Sequence, residues 1–340
     1  MIFVNNFWKI HDVPHSLEHA GFGEDFMGLA DVVFPSFLFV VGMSIPYAIE
    51  RRYSRGYSGE STIGHILTRT FALLVMGAFI SNSEARLSPD VDYSIGVYWI
   101  LMVTGFILIW NVYPRTDNKN QQHLYSVLKI IGVVILSYLV ITYRNPKGGF
   151  MSARWGILGS IGWCYLLATM VYVFSRDNFK KLIPVWIALV VISIIGTPLN
   201  EAYGSQPILN LPRPNFYHGI LNLLHIGNGI LPAFTMGGLI FSLASARLIN
   251  TPGRKKFAYA ALTVALFMLA GYFSRHFWIL SKLGATPPWL FYVSGINIAM
   301  YVLLTWMYHA GYASWLNIIK PAGTATLTCY LMPYLAYAAA

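Results

Sequence analysis

Ten runs of roughly twenty mostly apolar residues, each about the length that crosses a bilayer as a helix, dominate this chain. They lie near residues 31–50, 65–82, 93–113, 124–143, 156–175, 182–198, 228–248, 257–275, 288–308 and 322–340. A further apolar remnant occupies 1–8, and the last run ends at Ala340, so the first and last helices read as truncated. Only 11% of the residues are charged and the mean hydropathy is +0.56, against about 25% charged in soluble domains. The expected fold is therefore all-α: a polytopic transmembrane helical bundle of about ten full spans, with residues 1–340 as one membrane domain. Neither an internal repeat nor a low-complexity linker breaks it, and no signal peptide is expected. Cys164 and Cys329 sit far apart in apolar runs and read as small buried hydrophobes, not as a disulfide framework.

The net charge of +10 does not point to nucleic acid, because no basic stripe is interleaved with aromatics on a polar domain. It reflects loop lysines and arginines that set orientation. One set of alternate loops carries thirteen: Arg51, Arg52, Arg55, Arg115, Lys119, Arg176, Lys180, Lys181, Arg247, Arg254, Lys255, Lys256 and Lys320. The other set carries eight over longer loops. The first side is expected to be cytoplasmic, which leaves the His15–Asp31 loop and the 199–227 loop outside. Six of nine histidines then share the outer face, and Asp12, Glu18, Glu24, Asp25 and Asp31 crowd its first loop. After Glu201 there is no acid at all. The outer Arg275 and Lys282 are thus solvated, meet the first loop's carboxylates, or hold an anionic ligand.

Ionisable groups at the mouth of an apolar span are costly to keep there and mark a candidate site. A histidine of near-neutral pKa removes a proton from an attacking amine or hydroxyl, or is itself acylated. Glu18 or Asp31 can orient it and stabilise the imidazolium. Asn5, at the end of the first helix, can donate an amide N–H to a developing oxyanion. These residue types suit acyl transfer, and both His15 and His19 are candidates for the imidazole. His11, His15 and His19 sit four apart, yet Pro14 interrupts any helix that would align them on a metal, so no metal is expected. Gly227-Asn228-Gly229 after His225 reads as a turn at a helix mouth on the same outer side. Asp31 suits the positive end of the second span's dipole, and Pro35 and Pro46, with Gly42 and Ser44 between them, suggest a kinked helix beside a cavity. Arg69 either snorkels to the cytoplasmic surface or faces an internal cavity.

Met1-Ile-Phe-Val-Asn5, His19-Ala20, Ala30-Asp31-Val-Val-Phe-Pro35, Phe37-Leu-Phe, Gly42 and Ser44-Ile45 together resemble the signature of the heparan-α-glucosaminide N-acetyltransferase family, particularly its bacterial relatives of unassigned substrate. Similar matches follow at Arg69 with Gly77, the run from Trp155 to Trp163, Leu224-His225-Ile-Gly227-Asn228-Gly229, and Lys282 with Thr286-Pro287-Pro288-Trp289. The resemblance implies an acetyltransferase of the bacterial inner membrane. It would carry acetyl from cytosolic acetyl-CoA, as co-substrate, to an amino sugar or glycan acceptor on the extracytoplasmic side. The family's catalytic histidine matches His19 and its asparagine matches Asn5. Asp31 joins them as a catalytic candidate. His15, Glu18, His225, Asn228, Arg275 and Lys282 are candidates for the acceptor. Arg51, Arg52, Arg69, Arg254 and Lys255 are candidates for acetyl-CoA, although topology alone accounts for the loop charges. The chain departs from the family where Gly21-Phe22-Gly23-Glu24 replaces the usual aromatic-Asn-Gly and where the interval from His19 to Asp31 is longer. Membrane lipids are expected partners, and the aromatic and glycine content of the spans permits a homodimer. The alternative is a transporter or flippase of sugars or lipid-linked sugars. It also fits many spans and kinked helices, but it expects repeats and a midplane site.

Overall fold

The computed structural model describes residues 12–84, 87–146, 148–150, 155–199, 207–208, 216–248 and 250–339. In chain order the elements are α1 (Leu29–Ser54), α2 (Gly59–Ser83), α3 (Ile95–Trp110), α4 (Lys119–Thr142), the two-residue strands β1 (Arg144–Asn145) and β2 (Gly148–Gly149), α5 (Gly156–Ser175), α6 (Phe179–Gly196), α7 (Phe216–Leu223), α8 (Ile230–Arg247), α9 (Gly253–Ser274), α10 (Pro287–His309), α11 (Leu316–Thr324) and α12 (Thr326–Ala339). Each of the ten expected apolar runs is helical. Among the described residues, eight helices are long and apolar enough to cross a membrane. α3 at 16 residues and α12 at 14 are shorter. The chain is an all-α polytopic bundle and an integral membrane protein. The 1–8 remnant lies outside the described residues.

The chain gathers into two compact units. Among the described residues, the first holds those up to Leu67 and those from Trp163 to Ile319. Its centre is the crossing of α1 and α8, and glycine makes that crossing close. A Cβ on Gly42 would strike the Thr235 carbonyl, and one on Gly238 would strike the Phe39 carbonyl. Without a hydrophobic drive between helices in lipid, such backbone proximity is what holds them together. The Ser242 hydroxyl adds a hydrogen bond to the Met43 carbonyl at 2.9 Å. At the far end of α1, Glu50 accepts from Arg176 at 2.8 Å and from the Tyr172 hydroxyl at 3.1 Å, which ties α1 to the end of α5.

Pro35 lies inside α1. It has no N–H to give to the carbonyl four residues back, which is that of Asp31. The indole N–H of Trp289, at the start of α10, donates to that carbonyl instead, at 3.0 Å. Trp289 is 1% exposed, so the bond is dry and closes an account that the proline leaves open. Two sequence motifs 258 residues apart are thereby one structural device.

The second unit holds residues 68–162 and 320–340. Here α3 packs on α4 across Gly105 and Gly132 and also meets α12. Buried Tyr98 and Tyr143 donate to the Phe79 and Asn82 carbonyls near the end of α2. Gly77 lets α2 touch the start of α5 at Trp155 and Gly159. The β1–β2 hairpin pairs Arg144 with Gly149 beyond the end of α4.

Candidate functional site

The site is built where the loop before α1 folds over that helix's first turn. Asp31 is the third residue of α1, and its carboxylate reaches back to accept the backbone N–H of Gly28 at 3.2 Å and of Ala20 at 2.9 Å, both on Oδ2. The arrangement satisfies N–H groups that the loop and helix end would otherwise leave bare. Gly28 is needed there, because a Cβ would collide with the Glu18 carbonyl. The other carboxylate oxygen, Oδ1, stands 2.7 Å from Nδ1 of His19. Asp31 is 1% exposed while the His19 side chain is half exposed. A buried carboxylate anchors an imidazole that faces outward.

Lys282, in the loop between α9 and α10, completes the group. Its Nζ lies 3.0 Å from His19 Nδ1, 3.5 Å from Nε2 and 3.7 Å from Asp31 Oδ1. Burial pushes the Lys282 ammonium below the usual lysine range, and the Asp31 charge opposes that shift without cancelling it. A nitrogen 2.7 Å from a carboxylate oxygen needs a hydrogen between them. His19 Nδ1 therefore donates to Asp31, and in the neutral ring so held the lone pair is on Nε2. That is the tautomer a general base requires.

The Lys282 loop is fastened to the first loop by Asp25. Its Oδ2 accepts from Arg275 at 2.6 Å and its Oδ1 accepts the Leu280 N–H at 2.7 Å. Of the three alternatives for the outer cations, both meet first-loop carboxylates. Asp25 pulls Arg275 to a pKa still higher than an arginine's ordinary one. Within the same loop, the Thr286 hydroxyl accepts from the Ser281 N–H and donates to the Ser281 carbonyl, and the Trp278 indole donates to the Thr197 carbonyl at 3.1 Å.

His15 has a separate partner. Its Nε2 stands 2.7 Å from Glu24, its ring stacks on Phe26, and the same Glu24 carboxylate accepts the Gly21 N–H at 2.7 Å. Glu24 is only partly exposed, and those donors hold it below the ordinary carboxylate range. The Gly21–Glu24 segment is thus a turn, with Gly23 at the positive φ that position demands. Among the described residues no hydrogen bond reaches the Glu18 carboxylate. Asn228 spans two loops, donating to the Ala285 carbonyl at 2.6 Å and the Thr197 hydroxyl at 3.2 Å. His225 stacks on Trp163 with ring centres 4.0 Å apart. Asn5 lies outside the described residues.

The basic candidates other than Arg69 stand at the other ends of their helices. Arg52 donates to Ser61 and covers the Tyr57 ring at 4.4 Å, and its Nε is buried without a hydrogen-bond partner. Arg51 beside it is exposed, as are Arg254 and Lys255 in the first turn of α9. Arg69 is exposed on α2 and belongs to the second unit. Sequence reasoning passed over Asp25 as a clamp and Trp289 as the donor to Asp31. The Pro35 offset was the available signal for Trp289. For Asp25, 250 residues from Arg275, none existed. Among the described residues, no three His, Cys, Asp or Glu side chains gather to hold a metal ion.

Known proteins bear on this geometry. A stretch of 83 residues is 36% identical to heparan-alpha-glucosaminide N-acetyltransferase of Mus musculus, covering 24% of this chain and 13% of the mouse protein. The link is distant and partial, and it is to a transferase. Residues 8–212, well over half of the chain and including His15, His19, Asp25 and Asp31, match a family described as a domain of unknown function. A membrane protein with this buried carboxylate, imidazole and lysine at one helix mouth thus belongs to the DUF5009 family.

Proposed function

We propose that this chain is a membrane acetyltransferase that moves acetyl from cytosolic acetyl-CoA to an amino sugar or glycan acceptor on the extracytoplasmic side, with His19 as general base. The observation that carries the reading is the 2.7 Å contact between His19 Nδ1 and a carboxylate that is 1% exposed. In this reading Nε2, which faces Lys282 at 3.5 Å, takes the acceptor's proton. The mouse relative's name supports N-acetyl transfer.

In the reaction, the acceptor nitrogen attacks the thioester carbonyl as His19 Nε2 removes its proton. The C–S bond then breaks, and the imidazolium returns the proton to the departing CoA thiolate. Asp31 stabilises the imidazolium through Nδ1–H, as a buried acid does in a hydrolase triad. The Lys282 ammonium, within 3.5 Å of both ring nitrogens, offers a donor to the oxyanion, a role Asn5 shares in this reading. At the cytoplasmic end, Arg51 and Arg52 hold the phosphates of CoA. Arg52's buried, unpartnered Nε is a donor waiting for an acceptor.

The test is transfer of radiolabelled acetyl from acetyl-CoA to glucosamine by the purified chain. Wild type transfers label and His19→Ala does not. Equal transfer by the two sinks the assignment of His19. Thermal stabilisation by free sugars with none by CoA sinks the acetyl-CoA reading in favour of a carrier.

A further inference from the structure

Gly227-Asn228-Gly229, which leads into α8, spends its asparagine inside the protein. Asn228 Oδ1 accepts the Ile230 N–H at 3.3 Å. Nδ2 gives one hydrogen to the Thr197 hydroxyl at 3.2 Å and the other to the Ala285 carbonyl at 2.6 Å. An amide nitrogen has two hydrogens to give, so neither is left for a bound ligand. The flanking glycines fix the turn. Both have positive φ, and a Cβ on Gly229 would strike the Leu189 carbonyl of α6.

Ala285 belongs to the loop that carries Lys282. There the Thr286 N–H bonds the Ser281 carbonyl at 3.2 Å, and the Ala285 N–H bonds the Lys282 carbonyl at 3.0 Å. That nested pair is a closure whose left-handed position glycine usually fills. Here alanine fills it, at φ +44°, where its Cβ crowds the following carbonyl. Such a conformation persists only where its surroundings hold it. Asn228 bonds the carbonyl of the strained residue itself and so fixes the peptide that follows. The loop's other end is fastened separately, by Asp25 on the Leu280 N–H. Between the two fastenings stands Lys282, its side chain only 20% exposed, with Nζ 3.0 Å from His19 Nδ1 and 3.7 Å from Asp31 Oδ1.

We infer that Asn228 is a positioning residue: by holding Ala285 in a conformation that alanine disfavours, it sets Lys282 against His19 and Asp31. The inference rests on the acetyltransferase reading only for what Lys282 does. Where Lys282 sits is tested without acetyl-CoA.

The test follows acylation of Lys282 by an amine reagent against pH, on the full chain in detergent, with peptide mass spectrometry. His19 and Asp31 face Lys282 and stay in every variant. In wild type, burial holds the half-maximal pH below that of a free lysine peptide. Asn228→Ala lets the turn relax and the ammonium meet water, so this midpoint rises by about half a unit or more. Ala285→Gly alone keeps the wild-type midpoint. Asn228→Ala/Ala285→Gly returns toward it, because glycine takes the left-handed conformation freely. Thr197→Val removes only the other partner of Asn228 and leaves the midpoint in place. Ala285→Val keeps Asn228 but makes the conformation costlier for a β-branched residue. It raises the midpoint too, and it reports should Asn228→Ala lose helix content. A wild-type midpoint in Asn228→Ala or, where that variant does not fold, in Ala285→Val overturns the inference. So does a double variant no better than the single one, or an equal rise in Thr197→Val. In acetyl transfer to glucosamine, Asn228→Ala lowers kcat at least about tenfold with KM unchanged; a raised KM with kcat unchanged marks an acceptor contact and overturns the inference. Absence of transfer by every protein, with the midpoints as expected, sinks the acetyltransferase reading alone and leaves the inference standing.

Discussion

Replacing Asp31 with asparagine exchanges one oxygen for an NH₂ group, and the geometry says where that group must go. Ala20 and Gly28 both donate to Oδ2, so the asparagine oxygen stays on them. The NH₂ then takes the place of Oδ1, 2.7 Å from His19 Nδ1. Two donors cannot face each other, so the imidazole moves its proton to Nε2 and loses the lone pair that acts as base. The same tautomer reversal in a serine hydrolase triad lowers turnover by about 10⁴. At 1.36 kcal/mol per tenfold, that is about 5 kcal/mol of barrier. Folding suffers less, because both backbone donors keep an acceptor. The loss there is the charge on those two hydrogen bonds and the Lys282 pair, about 1–3 kcal/mol. The assay is acetyl transfer to glucosamine beside ¹⁵N spectra of labelled histidine, which separate the two tautomers. A variant within tenfold of wild-type turnover, or one whose His19 still carries its proton on Nδ1, refutes the reasoning.

Trp289→Phe should cost about 1–3 kcal/mol by leaving the Asp31 carbonyl buried and unpaired. Pro35→Ala supplies the missing helical N–H, so the tryptophan loss should shrink in that background; additivity within about 0.5 kcal/mol in chemical unfolding would refute the link. Gly238→Ala should lower thermal stability by the equivalent of about 1–3 kcal/mol through overpacking against the Phe39 backbone. Gly64→Ala, where a Cβ meets nothing, should be neutral or stabilising, and equal melting of the two variants would refute the close crossing. Burial depresses the Lys282 pKa, so more of it is free amine at any pH below the ordinary lysine value of about 10.4. Its acylation by an amine reagent should therefore reach half-maximal rate at lower pH than that of a free lysine peptide. Asp31→Asn, which removes the charge that raises the Lys282 pKa, should move that midpoint lower still. A Lys282 midpoint equal to that of the free lysine peptide, followed by peptide mass spectrometry, would refute it.

The helices were legible because lipid leaves the backbone no other partner than itself, and a run of twenty apolar residues states that requirement openly. α3 falls short of its expected span because Ser94 caps it at one end and Asn111 turns extended at the other. α7 and α11 escaped notice, since helices of eight and nine residues with one apolar face carry no long apolar run. At the site, the residue types were readable and the pairing was not. His15 and His19 have the same local chemistry, and only the turn at Gly21–Glu24 assigns Glu24 to one and Asp31 to the other. Arg275 and Lys282 advertised their lack of nearby acids, but which carboxylate each would meet depends on how two distant loops close.

The tryptophan bond to the proline-freed carbonyl has a mechanical consequence. One residue is gripped from two directions: its main chain by a neighbouring transmembrane rod, its side chain by the loop lying on top. Tilting that rod would drag the carboxylate with it and unseat the imidazole.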